Sequence, residues 1–187
     1  MSLRIIGGEA RGRRISAPAG QQTRPTTDRV REALFSIVTS RLGSLAGVSI
    51  LDLYAGSGAL GLEGISRGAD MAVFVDQCAR SVTTIRRNAE TLGFAGCCEV
   101  MGCKVATALR RLEEAGRGFD LVLADPPYSE GAAEVLQHLS QAPAVVQRLL
   151  IIEQGSRSER GPSSPGLTLR DTRRYGDSRL TIYERET

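Results

Sequence analysis

LDLYAGSGALGLE, residues 51–63, decides the fold of this chain. An apolar run that carries one acid, Asp52, stops at Tyr54, and Gly56, Gly58 and Gly61 follow before a helical pattern begins. Glycines permit a tight turn and a close approach of ligand to backbone. GSGALG fits G-x-G-x-x-G, a pattern that several classes of nucleotide-binding protein share. Downstream, MAVFVD, CCEVM, FDLVLAD and VVQRLLIIE also read as strands, with helical segments at roughly 59–67, 79–92, 104–115 and 130–140. Continuous apolar strands separated by helices predict an α/β fold, a parallel sheet covered on both faces and joined by right-handed crossovers.

The flanks extend this unit. In TRPTTDRVREALFSIVTSRLG, Thr27 is a plausible N-cap with Asp28 in the first turn. Val30, Ala33, Leu34, Ile37 and Val38 form one apolar helix face that Gly43 ends. Before it, RIIGGEARGRRISAP reads as strand, glycine-rich turn, strand. After the sheet, residues 154–166 are a polar loop, and LTLRDTRRYGDSRLTIYE reads as two strands around a turn at Tyr175–Asp177. The division expected is a basic hairpin extension over 1–26 and one body over 27–187.

The totals narrow the class. With 187 residues, 41% hydrophobic and 24% charged, the chain suits one soluble domain with a full core. No apolar run approaches the roughly 20 residues of a membrane span, and the N-terminus lacks the apolar stretch of a secretory signal. A cytoplasmic protein is expected. Cys78, Cys97, Cys98 and Cys103 form no C-x-x-C pair, so reduced thiols half-buried in the sheet are expected, and no metal site. Residues 1–31 carry seven arginines against Glu9 and Asp28, while the whole chain is only +3. A basic arm on a near-neutral body suits a polyanion. The 23 arginines beside a single lysine, Lys104, look like coding bias, which tempers any reading of arginine number.

Three acids close apolar strands. Asp52 precedes the glycine loop, where a carboxylate suits a cationic group better than a pyrophosphate; S-adenosylmethionine offers an ammonium and a sulfonium. Asp76 lies 20 residues after Gly56, placed to accept ribose hydroxyls. Asp125 opens Asp125–Pro126–Pro127–Tyr128. Prolines fix φ and carry no N–H, and the residue before a proline is held extended. What projects is a rigid double acceptor, the Asp125 carboxylate and the Pro126 carbonyl. That suits an exocyclic amine with two hydrogens, and Tyr128 offers a face for a base to stack on. Hydrogen bonds to both hydrogens aim the nitrogen lone pair and stabilise the developing charge. Asp125 can also take the departing proton. The base has to leave its stack to arrive.

RIIGGEARGRR, RPTTDRVREALF, LDLYAGSGALGLEGISRGA, VFVD, ADPPY and YGDSRL occur in the order found in the RsmD-like methyltransferases, which this chain resembles over nearly its whole length. These are bacterial 16S rRNA guanine-N2 methyltransferases that use S-adenosylmethionine. The resemblance implies a class I methyltransferase fold, Rossmann-like, with a seven-stranded, mostly parallel sheet, a C-terminal hairpin strand and a small N-terminal β extension. It implies action on 16S rRNA in an assembled or partly assembled small subunit; a monomer is expected separately, because nothing in the sequence reads as an extra apolar face. It would place Asp52, Tyr54, Ala55, Gly56, Ser57, Gly58 and Asp76 at the cofactor, and Asp125 to Tyr128 at the base amine. Arg11, Arg13, Arg14, Arg24, Thr26, Arg29 and Arg31 would face RNA. Related enzymes often hold the cofactor adenine with Asp or Asn after the third strand; here Cys103 and Lys104 stand there, leaving backbone groups at Cys103 for that task.

Three other readings compete. DNA adenine-N6 methylation shares DPPY, but normally needs a separate segment to read base edges. A nucleic-acid-binding module with a non-catalytic nucleotide site would ignore Asp125. A dehydrogenase that uses NAD lacks a substrate domain, and His138, the only histidine, is expected to face outward.

Overall fold

The structure, a computed structural model, describes residues 3–18, 27–127, 131–155 and 164–186. A two-residue antiparallel pair, β1 (Leu3–Arg4) and β2 (Arg14–Ile15), precedes α1 (Asp28–Leu42). Then come β3 (Ser49–Leu53), α2 (Ala59–Ser66), β4 (Met71–Val75), α3 (Ala79–Leu92), β5 (Cys98–Met101), α4 (Val105–Glu114) and β6 (Phe119–Ala124). The chain closes with α5 (Ala132–Ser140), β7 (Val146–Gly155), β8 (Leu167–Tyr175) and β9 (Ser178–Arg185). Among the described residues, seven strands form one sheet in the order β5-β4-β3-β6-β7-β9-β8. The pairs from β5 to β7 are parallel; β9 is antiparallel to β7 and to β8.

The expected caps operate. Thr27 is extended and its hydroxyl accepts from the Val30 N–H at 3.3 Å, while Gly43 ends α1 with φ 77°. Each face of the sheet has its own apolar layer. Leu34, Phe35 and Val38 of α1 and Leu62 of α2 pack with Ile50, Phe74 and Leu121 on one side. Leu109 of α4 and Val135 of α5 pack with Leu51, Val122 and Leu150 on the other. Buried on both faces, the central strands must be apolar throughout, which is why they read as runs rather than alternations. The thiols differ from expectation: only Cys98 lies in a strand, Cys97 is exposed, and Cys78 and Cys103 sit in the connections after β4 and β5. No helix among the described residues is long and apolar enough to cross a membrane.

Two strand residues per side cannot stabilise a free hairpin. This one is docked by buried polar groups of the body. Glu63, 0% exposed, accepts from the N–H groups of Ile6 and Gly7 at 2.8 and 2.7 Å and from Arg67 Nε at 2.7 Å. Ser66 Oγ accepts from Ala10 N–H and donates to the Gly7 carbonyl. Asn88, 2% exposed, exchanges both hydrogen bonds with the Ser16 backbone and donates to the carbonyl of Ser57. Replacing Glu63 by Ala leaves two amides and a guanidinium without their shared acceptor. We expect a loss of about 3 kcal/mol in urea unfolding, with earlier proteolysis near the hairpin; a loss below about 1 kcal/mol would show that the apolar contacts hold it alone.

Candidate active site

The connections run from β3 through β4 to β5 on one side, then return to β6 on the other side of β3. The strand order reverses between β3 and β6, the point at which open α/β sheets bind ligands. A crevice of about 1160 Å³ lies there. That is slightly above the roughly 300–1,000 Å³ usual for small-molecule sites, room enough for a nucleoside-sized ligand. Four strand-end acids line it: Asp76 after β4, Asp52 in β3, Asp125 after β6 and Glu153 in β7.

The glycine loop is held by its neighbours. Tyr54, Gly56 and Gly58 have φ of 58°, 55° and 77°, and Tyr54 is the one non-glycine among the described residues in that region. Such a conformation costs about 1–3 kcal/mol and persists where surrounding bonds impose it. Ala55 N–H donates to the Val75 carbonyl at 3.0 Å, Gly58 N–H to the Ala55 carbonyl at 2.7 Å, and Gly56 N–H to Asp76 Oδ2 at 2.8 Å. The other Asp76 oxygen accepts from Cys78 N–H at 2.8 Å. Each oxygen of Asp76 keeps acceptor capacity for a hydroxyl. Gly61 serves packing: a Cβ there would stand 2.4 Å from the ring of Phe74, so only glycine lets α2 lie this close to β4. The loop over residues 54–58 and the open acceptor positions of Asp76 fit the needs of a nucleoside cofactor.

Asp52 differs from the sequence expectation in its charge. It is 1% exposed, and Oδ2 accepts from Gly61 N–H at 2.9 Å, tying down the first turn of α2. Burial pushes its carboxyl up to about 8; the Gly61 bond opposes this, and the neighbouring acids Asp125 and Asp76 add to it. Burial therefore favours the protonated form of Asp52 over a standing negative charge.

The remaining expected residues divide. Asp125 is half-buried, Pro126 is buried and Pro127 exposed, and all three line the crevice. Tyr54, Ala55, Gly56 and Ser57 line it too. Gly58 caps the start of α2 below them. Cys103 is outside the lining, where Lys104 and Val105 stand instead; its N–H donates to the Met101 carbonyl. Arg11 and Arg14 are exposed on the hairpin, and Arg29 is exposed at the crevice wall. Arg13 donates to the carbonyls of Leu92, at 2.9 Å, and Thr91, at the end of α3. Arg31 corrects its expectation: it is 1% exposed and donates to the Arg4 carbonyl at 2.9 Å and Asp28 Oδ1 at 2.8 Å. It is a cation built into the wall, not a surface group for a phosphate. Tyr128, Arg24 and Thr26 lie outside the described residues.

Sequence reading missed part of the lining. His138 is half-buried and lines the crevice rather than facing outward, with Nε2 3.9 Å from Glu134 Oε1. Glu153 and Gln154 line it from β7, and the turn from Tyr175 to Ser178 from the C-terminal hairpin. Glu153 carried a usable signal: it closes the run LLII as Asp125 closes LVLA.

A family model described as conserved hypothetical protein 95 matches residues 3–184. A Bacillus subtilis chain provisionally named as an rRNA methyltransferase, YlbH, is 32% identical over 187 residues, covering 98% of this chain and 99% of that one. The Escherichia coli K12 protein named ribosomal RNA small subunit methyltransferase D is 33% identical over 186 residues, covering 98% and 90%. A solved Escherichia coli structure, provisionally described as the methyltransferase yhhF, superposes with a TM-score of 0.83 at 29% identity, covering 100% of this chain and 99% of that one.

The Asp52 proton has a thermodynamic signature. Because its folded value, about 8, lies above the ordinary 3.8, the native state holds a proton that the unfolded chain has lost between these pH values. Its contribution to stability is complete below about pH 4 and is lost as pH rises toward 8. The stability of wild type relative to Asp52→Asn, measured by urea unfolding across pH 5 to 8, should fall steadily with pH. A difference that stays flat would place the proton elsewhere.

Proposed function

This chain belongs to the conserved hypothetical protein 95 family, and from that membership we propose that it transfers a methyl group from S-adenosylmethionine to the N2 amine of a guanine in 16S rRNA. Its fold is the class I methyltransferase fold, with the mostly parallel seven-stranded sheet and the antiparallel C-terminal strands. The relative's name, ribosomal RNA small subunit methyltransferase D, supports rRNA of the small subunit as the substrate class. The observation that carries the reading is local: Asp125 and Pro126 share one crevice with the glycine loop and Asp76, at the reversal of strand order.

In this reading residues 54–58 would hold the cofactor, Asp76 would accept its ribose hydroxyls and Asp52 would face its positive charge. Bound there, it supplies an electrophilic methyl group. The protein's own work is positional. Asp125 and the Pro126 carbonyl accept the two amine hydrogens, so the nitrogen lone pair is aimed and the nitrogen is drawn toward a pyramidal shape. The nearby carboxylates stabilise positive charge as it develops on that nitrogen. Asp125 is placed to receive the proton that the methylated amine sheds. The target guanine reaches this position only out of its stack.

The hairpin docked by Glu63, Ser66 and Asn88 presents Arg11 and Arg14 outward, and Arg29 stands at the crevice wall. We read residues 1–26 as an RNA-binding extension of the body over 27–187. Arg24, Thr26 and Tyr128 belong to the proposed RNA and base contacts from the sequence alone. The protein is proposed to act as a cytoplasmic monomer on an assembled or partly assembled small subunit.

The test offers labelled S-adenosylmethionine with unmodified small subunits, naked 16S rRNA and unmethylated DNA, followed by digestion and mass spectrometry of the nucleosides. N2-methylguanosine from a ribosomal substrate is expected. Asp125→Ala should lower the rate by about 100-fold or more while calorimetry still shows cofactor binding. N6-methyladenine in the DNA, or undiminished transfer by Asp125→Ala, would contradict the reading.

A further inference from the structure

Two of the crevice acids stand side by side. Ala124, the last residue of β6, pairs in parallel register with Ile152 of β7, so Asp125, the first residue after β6, leaves the sheet next to Glu153. Leu123 and Ile151, two residues earlier on each strand, belong to the same apolar layer. By the alternation of a strand Glu153 leans to that same side, and Asp125, just past β6, is near enough to Asp52 to act on its charge, Asp52 lying two residues after Ile50 of that layer. Glu153 is only 6% exposed, yet it lines the crevice. Ser178 Oγ, beside the hairpin turn, donates to Glu153 Oε1 at 2.9 Å. The buried Arg31 guanidinium is close enough to feel the Glu153 carboxylate, together with Asp28 and Glu63. The hydroxyl thus orients this carboxyl group, and the arginine's charge helps offset its burial.

What such a neighbour reads follows from base chemistry. The ring nitrogen beside the amine of adenine, or of cytosine, bears a bare lone pair, and a carboxylate repels it. Beside the N2 amine of guanine stands N1–H, a donor that a carboxylate accepts. A second carboxylate one strand from the amine holder therefore distinguishes guanine from the other two amino bases at one contact.

We propose that Glu153 is the guanine-selecting residue, accepting the N1 hydrogen while Asp125 holds the N2 amine. The proposal rests on the reading of Asp125 given above. Glu153 is a specificity residue in this account: it selects which base presents its amine to Asp125 and takes no part in moving the methyl group.

The test uses 2-aminopurine, which keeps the N2 amine but turns N1 into an acceptor. Ribosomal RNA is prepared with guanine or 2-aminopurine at the nucleotide that the wild type methylates. The wild type should prefer guanine by at least about 100-fold, as expected of a site built around a donor that the analogue lacks. Glu153→Gln, whose amide can donate to the bare nitrogen, should shrink that preference below about 5-fold, with cofactor affinity by calorimetry nearly unchanged. Ser178→Ala keeps the carboxylate but frees it, and should weaken the preference by a few-fold. An undiminished preference in Glu153→Gln overturns the proposal. Should Glu153→Gln fail to fold or to bind cofactor, an undiminished preference in Ser178→Ala overturns it instead. A wild type that makes no N2-methylguanosine sinks the Asp125 reading first, and this inference with it.

Discussion

Four acidic side chains share one edge of one sheet, and the rest of the site is arranged around that fact. A parallel sheet puts the ends of neighbouring strands side by side, so Asp76, Asp52, Asp125 and Glu153 converge whatever their loops do. Like charges this close oppose one another, and the fold relieves the repulsion differently at each position. Asp76 is bound by two backbone N–H groups. Asp52 is buried and takes up a proton. Glu153 has Ser178 and lies near the Arg31 cation. What remains is a crevice that favours positive charge, which suits a sulfonium cofactor and an amine that becomes cationic as it reacts.

The N-terminal segment and this edge are mechanically one unit. Asn88 ties the Ser16 backbone to the Ser57 carbonyl, so the hairpin and the glycine loop share a single buried amide. Glu63 lies in α2, the helix whose first turn Asp52 holds. The N-terminal segment is thus fastened to the body beside the glycine loop by side-chain hydrogen bonds.

Most of the fold was legible because its signals are local. The glycine loop, the Thr27 cap, Gly43 and the strand-end acids each express a short-range constraint, and the helices begin and end within about two residues of the boundaries read from spacing. What was illegible depends on which way a side chain turns. Arg31 reads as one more arginine of a basic arm, but its position on the buried face of α1 turns it inward. His138 faces the crevice because α5 packs its neighbours Val135 and Leu139 onto the sheet. The charge of Asp52 depends on burial that no single sequence shows, and Glu153 is significant only beside Asp125, a pairing set by register. The strand, turn and strand read at the N-terminus are present but only two residues a side, and side chains of the body do much of the work that a longer ladder would do.

The most direct test is the proton that cofactor binding displaces. Titration of the ligand-free protein with S-adenosylmethionine at pH 7, by calorimetry in buffers of different ionisation enthalpy, counts protons released per cofactor bound. If the crevice is an acid cluster that a cation completes, the wild type releases most of one proton more than Asp52→Asn does. Equal release by the two proteins would show that Asp52 does not answer to the cofactor's charge, and would contradict this account of the edge.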